Sequence, residues 1–123
     1  MPTGSLAERI LLEVHNRKSL RYDARQIASL MDISQSDLAK IIGERYDSLR
    51  RRPDSESYQQ KLAPIAAILT ELRHNLGSDK LVRVWLRAAN PDLGGRRPLD
   101  ELFAGHIKAL RSYVYAATSG QGI

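Results

Sequence analysis

Apolar residues recur along this chain at intervals of three and four, the repeat of a helix face, and runs of alternating β-branched residues do not occur. The pattern predicts an all-α chain. Leu6, Ile10, Leu11 and Val14 mark a first helix over roughly residues 5–16, with Ser5 as its cap. Residues 19–22 read as a connection, and Asp23 can cap a second helix carrying Ile27, Leu30 and Met31. Ser34 or Ser36 can cap a third, with Leu38, Ile41 and Ile42 on its inner face and Gly43 as the φ-permissive residue that ends it. A short fourth helix over residues 46–52 is stopped by Pro53.

Asp54 or Ser55 then caps the longest helix, which ends near Leu76 at Gly77. Tyr58, Leu62, Ile65, Leu69, Leu72 and Leu76 give it a sustained apolar stripe. Pro64 interrupts the run and should bend or break it, because proline donates no helical hydrogen bond. Ser78 caps the next helix, with Asp79 in its first turn and Leu81, Val84, Trp85 and Ala88 expected inside. Asn90-Pro91 ends it. Pro98 suits a first helical position, and Asp100 and Glu101 follow it. A last helix is expected from about His106 to Ala117, with Ile107, Leu110 and Val114 inward and a flexible tail from Thr118 onward.

Composition narrows the classes. At 123 residues the chain can bury a modest core as one unit or two small lobes. It has no cysteine, which excludes a disulfide scaffold and thiolate metal sites and fits a reducing cytoplasm. No apolar run reaches membrane-spanning length, and Met1-Pro2-Thr3-Gly4 opens no secretion signal. The net charge of +5 is mildly favourable to polyanions. His15, His74 and His106 are too dispersed for a metal site, no carboxylate pair marks a catalytic cleft, and no phosphate-binding glycine loop occurs. Neither enzyme chemistry nor a cofactor is expected.

The segment from 85 to 98 carries the most specific information. Trp85-Leu86 is followed by Asn90-Pro91, Leu93, Gly94-Gly95 and Pro98, and then by Leu99, Leu102, Phe103 and Gly105 at helical spacing. Conformation explains much of this. Trp85 is a large apolar anchor, Asn90 favours a turn, the glycines admit positive φ and Pro98 starts a helix. The combination also resembles the C-terminal domain of the Xre/MbcA/ParS antitoxins, the partners of RES-domain toxins. The rest of the chain fits that family's layout over roughly residues 24–117. The resemblance implies an N-terminal helix-turn-helix-like lobe (1–55) and a toxin-binding lobe (56–123) joined by the long helix, in a homodimer or a larger toxin–antitoxin complex.

Two helix-turn-helix registers are open. In one, residues 36–42 support, 43–45 turn and 46–52 read the DNA; in the other, 24–31 support, 32–34 turn and 35–42 read. The family layout favours the first, and Arg45, Tyr46, Ser48, Arg50, Arg51 and Arg52 then face or flank the groove, with Asp47 among them. Glu44 stands where such turns often carry an apolar residue. Ile33 matches that feature in the second register. For the other lobe, Arg83, Arg87, Arg96, Arg97, Lys108 and Arg111 are expected on outer faces. Asn90, Tyr113, Tyr115, Ser119, Gly120, Gln121, Gly122 and Ile123 complete the candidate toxin-binding set. By resemblance, the C-terminal end would cover the NAD-binding cleft of an NAD-degrading RES toxin, and the DNA-binding lobe would regulate the operon. The rivals are a free-standing helix-turn-helix repressor with no toxin partner and a helical scaffolding module.

Overall fold

The computed structural model describes residues 14–120. The first expected helix and its Ser5 cap therefore lie largely outside the described residues, as do Gln121, Gly122 and Ile123. Within them the elements are α1 (Ala24–Met31), α2 (Gln35–Ile42), α3 (Tyr46–Arg51), α4 (Gln59–Leu76), α5 (Asp79–Arg87), α6 (Pro98–Phe103) and α7 (Ile107–Gly120). Short 3₁₀ turns at Glu56–Tyr58 and Pro91–Leu93 lead into α4 and interrupt the α5–α6 loop. Among the described residues the one β-type pairing is the bridge between His15 and Tyr22, and no helix is long and apolar enough to cross a membrane.

Local chemistry sets the helix ends. Asp23 is fully buried, and its carboxylate accepts from the backbone N–H groups of Arg25 (2.8 Å) and Gln26 (3.2 Å) and from the Asn16 side chain (2.8 Å). A buried carboxylate is tolerable there because three donors replace its water. Ser34, not Ser36, caps α2, and Ser78 caps α5. Gly43 and Gly77 end α2 and α4 at φ 71° and 90°, a region that disfavours other residues. Asp32 takes the same left-handed conformation after α1 at φ 58°.

Buried side chains from α1 through α7 form one continuous apolar cluster, so the two expected lobes share a core. The long helix is its axis. Leu62, Ile65, Ala66, Ile68, Leu69 and Leu72 are buried along α4, which packs most extensively against α7. Pro64 does not break α4; the helix runs uninterrupted from Gln59 to Leu76. A proline inside a helix costs about 3 kcal/mol. Each buried Leu or Ile on this stripe returns roughly 1.5–3 kcal/mol, so the packing on both sides of Pro64 outweighs the local defect.

Two further expectations change. The expected tail from Thr118 is helical as far as Gly120. The Thr118 hydroxyl donates to the Val114 carbonyl (2.8 Å) and the Ser119 hydroxyl to that of Tyr115 (2.5 Å), so both side chains bond back into the helix. The register of α5 also differs. Val82 and Leu86 are its buried residues, whereas Leu81, Val84 and Ala88 are exposed and Trp85 is half-buried.

Candidate partner-binding surfaces

The segment 81–88 is apolar at six positions, too many for one stripe of a short helix. Val82 and Leu86, one turn apart, enter the core. Leu81 (47% exposed) and Val84 (54% exposed) are left outside with Ala88, and the half-buried Trp85 borders them. The excess of apolar positions was the signal for a second, outward stripe.

Hydrogen bonds select this register. The Arg83 guanidinium donates to the carbonyls of Leu30 (2.8 Å) and Ser29 (3.2 Å). Arg87 donates to those of Met31 (2.9 Å) and Asp32 (2.7 Å), and to Arg83 on its own helix (3.2 Å). Both were expected on an outer face. They are half-buried instead and cap the C-terminal end of α1, where carbonyls lack helical donors and cations are favoured. Arginine suits this because its planar fork reaches several acceptors at once.

Beyond α5 the chain turns around Asn90. Its side-chain oxygen accepts from the Asp92 N–H (2.9 Å), its backbone carbonyl accepts from Leu93 (3.0 Å) and Gly95 (2.9 Å), and its N–H donates to the Arg96 carbonyl (3.0 Å). Gly94 and Gly95 have φ of 68° and 82°, which this reversal requires. The Asn90 amide also donates to the Tyr113 hydroxyl (3.4 Å), which donates to the Asp92 carboxylate (2.8 Å). Burial, reinforced by the neighbouring Asp92 charge, raises the Tyr113 pKa, so the hydroxyl keeps its proton and the loop stays pinned to α7. An open groove of about 860 Å³ lies between this loop and α7, lined by Trp85, Asn90, Tyr113, Ser119 and Gly120 among others.

Residues 67–120, which hold α5, the turn and the groove, match the family described as the antitoxin Xre/MbcA/ParS C-terminal toxin-binding domain. This part of the chain is similar to the toxin-binding domain of that antitoxin family. No curated protein and no solved structure matches it. The matched span contains the exposed α5 stripe, the Asn90 turn and Arg83, Arg87, Arg96, Arg97 and Arg111.

At the start of α6, Arg97 pairs with Asp100 (2.6 Å), and the hydrogen bond raises the arginine pKa and lowers that of the carboxyl. Glu101 is buried and held by His106 (2.9 Å) and by an ion pair with the exposed Arg96. The His106 bond, and then Arg96, depress the Glu101 pKa. A carboxyl whose pKa is depressed on folding stabilises the fold above its unfolded pKa, and that contribution is lost as pH falls through the folded value. The urea midpoint of the protein is therefore expected to fall as pH drops from about 5 to about 3, and Glu101→Gln should flatten that dependence. An equally steep fall in the variant would remove Glu101 as the cause.

The basic face of the N-terminal half is α3. Leu49 is its one buried residue, while Arg45, Tyr46, Asp47, Arg50, Arg51 and Arg52 are exposed and Ser48 is half-buried. Arg51 donates to the Asp47 carbonyl (3.2 Å), and Arg50 approaches the Asp47 carboxylate only at 4.0 Å. By contrast, α2 buries Leu38, Ala39, Ile41 and Ile42 and exposes Lys40 as its only basic residue. Of the remaining toxin-binding candidates, Tyr113 lies in the groove. Arg111 and Tyr115 lie on a different side of α7.

Proposed function

We propose that this antitoxin neutralises a RES-domain, NAD-degrading toxin by occluding its NAD-binding cleft. The α5 stripe of Leu81, Val84 and Ala88 supplies the apolar contact, while Arg96, Arg97 and the Asn90 turn supply the polar rim. The observation that carries the reading is the position of α7. Its last described turn, at Ser119 and Gly120, lines the same groove as Trp85 and Asn90 within the matched span, and the reading takes the plug to be residues 121–123. Inhibition is then steric, and this chain performs no chemistry of its own.

The test is to co-express the antitoxin with the RES-domain protein encoded beside it and follow NAD consumption. A chain ending at Gly120 should still co-purify with the toxin and inhibit it at least about tenfold less well. Full inhibition by the shortened chain would exclude the plug. Separate elution of the intact proteins would exclude the pairing itself.

The same reading assigns operator binding to α3, with α2 as the supporting helix. What supports that register is exposure: α3 presents a run of arginines, whereas α2 spends half its length in the core. One helix this short makes few phosphate and base contacts, so binding as a homodimer or within a larger toxin–antitoxin complex is part of the proposal.

A further inference from the structure

The last helix has three sides. Leu110 and Val114 face the core, and Tyr113, Ala116, Ala117 and Gly120 line the groove already described. Lys108, Arg111, Ser112 and Tyr115 recur at the same three-and-four spacing and form a separate side. They border a second groove, between α7 and the first half of α4. Two adjoining openings of about 430 and 710 Å³ share Gln60, Pro64 and Lys108.

This groove has a definite chemistry. Its floor and walls are apolar where Pro64, Ala63 and Ile107 contribute, and Tyr115, 67% exposed, stands at one end. No carboxylate lines either opening. Lys61 is neutralised by Glu44 and His106 is bonded to Glu101, but Lys108 and Arg111 have no ion-pair partner among the described residues. Glu71 is not in this groove; it lines a neighbouring opening that Arg111 and Tyr115 also border, and forms no ion pair with Arg111. Pro64 has no N–H, so the Gln60 carbonyl lacks its usual helical donor within the groove wall.

We propose that this groove is a docking site for an acidic, leucine-bearing segment of a protein partner. Its carboxylates pair with Lys108 and Arg111, its apolar side chains lie against Pro64 and Tyr115, and a backbone N–H meets the Gln60 carbonyl. Lys108 and Arg111 are about 4.5 Å apart along the helix axis. Carboxylates on alternate residues of an extended strand are spaced about 6.6 Å apart, within reach of two long side chains. Free cations favour any polyanion; the apolar floor and the acceptor-only carbonyl favour a peptide over a nucleic acid, whose phosphates bring no donor. The site lies on a different side of α7 from the proposed toxin plug and does not depend on it.

The probe is a short fluorescein-labelled peptide alternating glutamate and leucine, titrated by anisotropy against the full chain without toxin. Saturable binding at low salt is expected, with a loss of at least roughly tenfold in the Lys108→Glu/Arg111→Glu variant, whose sites are exposed and tolerant. Pro64→Ala supplies the missing N–H to Gln60, and it should raise Tm while weakening the peptide severalfold, a pairing that a purely structural role would not produce. The proposal is overturned if no saturable binding occurs at low salt, or if the charge-reversed variant or an alternating glutamine–leucine peptide binds equally well. Duplex DNA of arbitrary sequence that displaces the peptide and needs the same two cations would make the groove a phosphate surface and equally overturn it.

Discussion

Val84→Glu is expected, under the proposed toxin pairing, to weaken capture of the toxin at least about 30-fold while leaving the fold of the free chain intact. The argument rests on a difference between two environments. In the free chain Val84 is more than half exposed, and an exposed substitution costs within about 0.5 kcal/mol. Glutamate is also a good helix former, with Lys80 one turn before it. In the complex the same position would press an unpaired carboxylate into a dry apolar contact. Hot-spot losses of about 2 kcal/mol or more are usual there, a factor of about 30 in affinity. Leu86→Ala, on the inward stripe, is the contrasting control: it should cost the fold about 2–5 kcal/mol. Titration calorimetry against the purified toxin, with thermal melts of the free variants, reads both effects. Parent-like affinity of the Val84 variant would move the toxin seat away from α5.

Arg50→Ala combined with Arg51→Ala is expected to reduce operator affinity on the order of 10- to 100-fold at low salt and to flatten its salt dependence. Each phosphate contact neutralised releases counterions and adds about 0.9 to the slope of log K against log salt on duplex DNA. Two lost contacts per protomer should therefore lower that slope by about 1.8 per protomer. Both side chains are exposed on α3 and only Leu49 anchors the helix, so alanine leaves the packing intact. Mobility shifts at two salt concentrations on the chain's own upstream DNA make the measurement. An unchanged slope would show that α3 does not carry the phosphate contacts. The same loss on unrelated DNA but an unchanged preference for the operator would make these arginines positioning groups rather than base readers.

The helix ends were legible because each is a local event. Asp23, Ser34 and Ser78 sit where backbone N–H groups need an acceptor, Gly43 and Gly77 where the chain must take positive φ, and Pro98 where no N–H is required. The turn at Asn90 was readable for the same reason, since its side chain bonds a backbone group two residues on. Misreadings arose where distant parts of the chain decide. Pro64 was expected to bend or break α4, and with Leu62, Ile65 and Leu69 buried around it the helix continues unbroken to Leu76. Thr118 and Ser119 looked like a tail because their polar character masked their bonds back to Val114 and Tyr115.

The order of helices, their caps and the Trp85-to-Pro98 motif follow from nearest-neighbour chemistry, so the linear chain by itself determined an all-α architecture and the resemblance of residues 67–120 to the Xre/MbcA/ParS toxin-binding domain. Tertiary structure alone decided which stripe of α5 is buried. Two stripes of similar apolarity compete there, and the choice turns on whether Arg83 and Arg87 can reach the open carbonyls at the end of α1. Those partners are distant in sequence and meet only when the core closes. The closure leaves Leu81 and Val84 facing outward.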